Sequence, residues 1–178
     1  MMKEMTDFFN RYEKEYFKLF QMYPSVPYSE SWNHDLFVGE PDSYEMIRWK
    51  AVVQDKALDW SQLEHDIGFK LRDDIKDYFS SYYFFDTTAT VGKATIMLMK
   101  ISNFEEIGKN LLYWASDAKM AFPEKQCILI GMAIIDNDDG YSIYVDNETG
   151  AVFCKEFDTM NEVQLSDSIS SLFEKMEA

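Results

Sequence analysis

Glycine and proline are scarce in this chain, seven and four among 178 residues. Seven glycines leave little for a backbone phosphate cradle. Neither a Walker-type loop, a dinucleotide fingerprint nor a Gly-x-Ser-x-Gly elbow occurs. Histidine is limited to His34, beside Asp35, and His65, between Glu64 and Asp66. Neighbouring residues on a helix point about 100° apart, so this adjacency does not make a base–carboxylate dyad. The two cysteines, Cys127 and Cys154, each lie inside an apolar run that reads as a strand. Without metal-ligand spacing or a secretory segment, they read as reduced core residues. No run approaches the roughly eighteen apolar residues of a membrane span. Met1–Asp7 lacks a basic region followed by an apolar stretch, so a cytoplasmic protein is expected. No cofactor or metal is expected.

Cations are also in deficit, 17 against 32 carboxylates, for a formal charge of −15. Such a field repels nucleic acid phosphates and anionic headgroups and speeds encounter with basic proteins. The excess is uneven. Residues 136–178 hold eleven of the acids and two of the bases, so an acidic functional face is expected there.

What is plentiful is core material, with 47% of residues apolar and 16% aromatic. That excludes a disordered acidic tail and supports one domain over residues 1–178 without a disulfide or metal staple. Met5, Phe8, Phe9, Tyr12, Tyr16, Leu19 and Phe20 recur at helical spacing and predict a helix over 4–22 with one buried stripe. Pro24 and Pro27 end it and open a long loop, 23–44, which is either packed by its own aromatics or functional. Residues 45–54 read as a strand. Asp59 is a candidate N-cap for a short helix that Gly68 stops.

Residues 72–85 predict a helix ending in Tyr78, Phe79, Tyr82, Tyr83, Phe84 and Phe85, a cluster read as core rather than a ligand platform. A strand over 93–101 follows, then a helix capped by Asn103 and running to Lys119. Residues 127–135 read as a buried central strand. The run 136–140 reads as a hairpin turn with Asp-Gly at its end, with return strands at 141–145 and 151–157 and a turn at 147–150 between them. A final helix is expected over 164–176. The pattern predicts an α+β fold with a mostly antiparallel sheet.

The acids form no recognisable catalytic arrangement. Asp136-Asn137-Asp138-Asp139-Gly140 resembles the start of a calcium loop, but its glycine is fifth and the closing ligands are missing. The four tryptophans could line a glycosidase cleft, yet no spacing selects a carboxylate pair. A non-enzyme is expected.

Several segments together resemble the Syd family of the SUKH superfamily. They are the aromatic first helix with its proline-rich exit, Ile47-Arg48-Trp49, the Leu63-Glu64…Ile67-Gly68 pattern, Tyr82-Tyr83-Phe84 and the meander from Ile128 onward. The most specific stretch is Asp146-Asn147-Glu148-Thr149-Gly150-Ala151-Val152-Phe153-Cys154-Lys155-Glu156, and the resemblance covers about residues 4 to 176. It implies a curved, mostly antiparallel sheet flanked by helices, no enzymatic role, and a basic protein partner.

Two partners occur in the superfamily, toxin domains neutralised by immunity proteins and cytosolic loops of the SecY channel. The first expectation is an immunity protein that neutralises a basic toxin, possibly a nuclease. The alternatives are a SecY-binding protein and, more distantly, an acidic nucleic-acid mimic. No direct nucleic-acid binding is expected, and membrane association would be at most peripheral, through a protein partner. The expected contact face comprises Asp136, Asp138, Asp139, Asp146, Glu148, Glu156 and Asp158, with nearby aromatics as anchors.

Overall fold

The structure is a computed structural model that describes residues 1–156 and 161–178, with Asp138 and Asp139 described by their backbone alone. Helix α1, Met2–Phe20, buries Met5, Phe8, Phe9 and Tyr12. The expected stripe ends there. Leu19 and Phe20 are exposed, because the helix outruns the elements that pack against its first half.

The long loop expected at 23–44 is packed by its own aromatics, Tyr28 and His34 against Phe37, and contains two short strands. Strands β1 (Ser25–Pro27) and β2 (Phe37–Val38) flank β3 (Met46–Trp49) in an antiparallel sheet ordered β1-β3-β2. Trp32 packs on Phe85 at 4.7 Å. The strand predicted over 45–54 breaks after Trp49, and β4 (Val52–Val53) pairs elsewhere, with β5 (Tyr82–Tyr83).

Helix α2, Trp60–Ile67, is bounded as predicted. The Asp59 carboxylate accepts from the Gln62 N–H, and Gly68 closes the helix at φ 90°. Helix α3, Asp73–Ser81, is shorter than predicted. Gln54 holds the chain extended beyond it: its Nε2 donates to the Phe79 and Tyr82 carbonyls, and its N–H to Ser81. Such a long-range contact overrides local helix propensity. The aromatics Tyr78 to Phe85 are core, as expected.

Strands β6 (Thr87–Val91) and β7 (Ala94–Leu98) form a hairpin, and the sequence pattern had indicated only the second. Helix α4, Phe104–Ala121, starts at Asn103, whose side chain accepts from the Glu105 N–H. Four strands and a helix complete the chain: β8 (Cys127–Ile135), β9 (Asp138–Asp146), β10 (Val152–Glu156), β11 (Glu162–Ser166) and α5 (Ile169–Lys175).

The large sheet is a curled antiparallel meander, β11-β10-β9-β8-β7-β6, flanked by helices. The α+β expectation therefore holds.

Two further boundaries differ from the sequence reading. The β8–β9 turn lies on Asp136 and Asn137 (φ 52° and 68°), not at Asp139-Gly140, and Ile135 pairs with Asp138 across it. Asp and Asn tolerate left-handed backbone, and a two-residue turn of this kind matches the strand twist. The last helix also starts later than expected. Gln164–Ser166 belong to β11, paired with Phe153 and Val152, and Ser168 caps the helix by accepting from the Ser171 N–H.

Candidate binding groove

The inner face of the large sheet is left open at the end where β6 turns into β7 and β8 into β9. An open groove of about 1070 Å³ lies there. Val91 opposes Ala94 across β6–β7, and Ala94 opposes Ile135 across β7–β8. Directly opposed residues in an antiparallel ladder share a face, so these three form one apolar floor. Leu165 of β11 and Met176 extend it. The chain returns to the β6 edge through a Thr90–Glu177 bridge, which closes one side.

Glu15, Asp136, Glu174 and Glu177 stand on the rim together with Arg11, Lys93 and Lys175. The cations are not equivalent. Arg11 Nη2 donates to the Phe173 and Met176 carbonyls at 3.3 and 3.4 Å, and Lys175 Nζ donates to the Leu165 carbonyl at 3.3 Å. Both satisfy main-chain acceptors around α5 rather than carboxylates. Glu15 pairs with Lys18 at 3.0 Å. Among the described residues, Asp136, Glu174 and Glu177 form no ion pair.

Lys155, the other base in residues 136–178, is buried. Its Nζ donates to the Ala121 carbonyl at 2.6 Å and sits 4.0 Å from the Phe122 ring centre. Among the described residues, neither base in the acidic last quarter pairs with a side-chain carboxylate.

The expected contact face divides between the two ends of β9, which lie about 26 Å apart for a strand of this length. Asp136 joins the groove rim, and the backbone of Asp138 and Asp139 opens β9 beside it. Glu156 lies opposite Tyr141 in the ladder, is buried, and accepts from Asn161 Nδ2 at 3.3 Å. Asp146 and Glu148 occupy the far end. There Asp146 Oδ1 accepts from the N–H groups of Glu148 and Thr149, and the Glu148 carbonyl accepts from Arg72 Nη1. Asp158 lies outside the described residues.

The sequence reading did not single out Glu174 and Glu177. Their only signal was the acidity of the last quarter, because the bridge that brings Glu177 to Thr90 leaves no local pattern. Burial pushes both cysteine thiols up to about 12. They are neutral, free and buried, as expected of core residues. Among the described residues, no group of three His, Cys, Asp or Glu side chains could hold a metal, and no helix is long and apolar enough to cross a membrane.

The model of the Syd protein family (SUKH-2) matches residues 2–178. This chain belongs to the Syd family. Among its relatives is Protein Syd of Colwellia psychrerythraea, 24% identical over 97% of this chain and 90% of the relative. Protein Syd of Pseudoalteromonas atlantica is 23% identical over 86% of this chain and 83% of the relative. Protein Syd of Idiomarina loihiensis is 26% identical over 81% and 78%.

In this Syd family member, the stretch 146–150 that carried much of the resemblance forms a structural clamp. Buried Asn147 accepts from the Arg72 N–H and donates to the Lys70 carbonyl, tying the β9–β10 turn to the α2–α3 connection. Gly150 has φ 83°, and a Cβ there would meet the Arg72 guanidinium at 2.9 Å.

Proposed function

We propose that this chain is a non-catalytic binding protein, one Syd-like domain, whose groove takes basic cytosolic loops of the SecY channel. The observation that carries this reading is the groove itself. Its floor is apolar, and its rim sets Glu15, Asp136, Glu174 and Glu177 against Arg11, Lys93 and Lys175; among the described residues Asp136, Glu174 and Glu177 form no ion pair, and Arg11 and Lys175 are directed at main-chain carbonyls. A cationic loop would gain burial on the floor and electrostatic steering from the rim. The relatives named Protein Syd support the channel over the toxin partner first expected, which rests on the superfamily label alone. The nucleic-acid mimic gains no support from acids divided between opposite ends of a strand. The reading places the protein at the cytoplasmic face of the membrane.

The test is binding to the host's SecY in nanodiscs, compared with empty nanodiscs, at low and high salt. Saturable binding to SecY beyond the empty discs, weakened as salt rises, is expected. No binding above the empty-disc level would contradict the channel reading. Capture of a toxin domain with the same salt dependence would restore the immunity reading.

A further inference from the structure

The last turn of α1 and the residue that follows its cap expose apolar side chains. Phe17, Leu19, Phe20 and Met22 are 45%, 69%, 54% and 42% exposed, whereas Phe8, Phe9 and Tyr12 on the same helix are buried. Phe20 packs on Tyr16 at 4.6 Å and Phe17 on Tyr23 at 5.9 Å, so these rings brace one another. Left-handed Gln21 stops the helix, its N–H donating to the Phe17 carbonyl at 2.8 Å. The result is a fixed apolar knuckle.

Its charge pattern is unlike that of the rest of the chain. Residues 19–29 carry no charge, the longest such run in a protein of net charge −15. The other run of similar length, residues 126–135, is mostly the buried strand β8. Around the knuckle, exposed Lys14 and Lys18 lie on the helix, and exposed Arg48 lies opposite Ser25 in the adjoining sheet. Glu15 and Lys18 pair with each other at 3.0 Å and are neutral as a unit, so Lys14 and Arg48 supply the positive charge beside the knuckle.

We propose that this knuckle seats on an anionic lipid bilayer. Exposed Phe, Leu and Met with flanking Lys and Arg suit the boundary between headgroups and acyl chains. The overall acidity does not prevent contact, since charges beyond about 8 Å are screened at physiological ionic strength. Leu19 follows Arg11 and Glu15 along one face of α1 at four-residue spacing. The knuckle therefore continues the groove wall, and seating it would bring the groove to the membrane surface. The inference stands whatever the groove holds.

The test is flotation of the full chain with vesicles containing no channel, either pure phosphatidylcholine or an equal mixture with phosphatidylglycerol. The protein should float with the mixed vesicles. Leu19→Glu/Phe20→Glu should reduce the floated fraction about tenfold, and Lys14→Glu/Lys18→Glu should abolish the preference for anionic vesicles. Asp136→Lys, at the groove, should still float. All the substituted side chains are exposed, and unchanged far-ultraviolet circular dichroism checks the fold. The proposal is overturned if the unaltered protein fails to float, or if Leu19→Glu/Phe20→Glu floats equally well. A dimer dissolved by Leu19→Glu/Phe20→Glu, without flotation of the unaltered protein, would overturn it in favour of a self-interface.

Discussion

Tyr78 lies deep in the aromatic core, 4.9 Å from Phe79 and within 6.2 Å of both Phe84 and Phe173. Among the described residues its buried hydroxyl finds no hydrogen-bond partner, and burial pushes its ionisation well above the ordinary phenol range. An unpaired buried hydroxyl has lost water without recovering a bond. Tyr78→Phe should therefore leave the ring packing intact and raise stability by about 1 kcal/mol. A urea titration checks this, with the midpoint rising at unchanged slope. Lys155 shows the opposite resolution of the same problem. Its ammonium is buried but satisfied by a carbonyl and an aromatic face, so it stabilises the end of α4 while adding no positive charge to the surface.

Between elements, the link from α2 to α3 depends on Glu64. Its carboxylate accepts from Lys76 Nζ at 2.7 Å and from the Leu71 N–H at 3.0 Å, and these bonds hold its pKa below the ordinary value of 4.5. A depressed carboxylate pKa contributes stability that is fully present above the unfolded value and lost as pH falls through the folded one. Glu64→Gln should therefore be less stable than the unaltered protein near neutral pH. The gap should close below pH 4.5, as Glu64 protonates. Thermal melts of both proteins across that range measure it, and a gap independent of pH would refute the ionic account.

Elements bounded by local chemistry were the legible ones. Asp59, Gly68 and Asn103 cap α2 and α4 through contacts within a few residues, which sequence reveals. Strand β6 alternates in burial, but its inward Thr87, Ala89 and Val91 are too small or polar to mark a strand, whereas β1 and β2 are too brief for a period-two signal. The end of α3 was hidden for another reason: it is set by Gln54, more than twenty residues away.

At the scale of the whole molecule, the sequence located the acidity but not its geometry. Of the seven acids first expected to form one face, the fold brings Asp136 to a groove, buries Glu156, and sends Asp146 and Glu148 to the other end of β9. Glu174 and Glu177 join Asp136 only because the end of the chain folds back onto β6. The apolar knuckle on α1 was hidden inside a helical stripe that reads as entirely buried. The account rests on the groove carboxylates steering a basic partner. The most direct measurement is the association rate with SecY in nanodiscs for Asp136→Lys/Glu174→Lys/Glu177→Lys, across a salt series. A fall of about tenfold or more at low salt, with a flattened salt dependence, is the predicted result. An unchanged rate and salt dependence would show that the partner binds elsewhere.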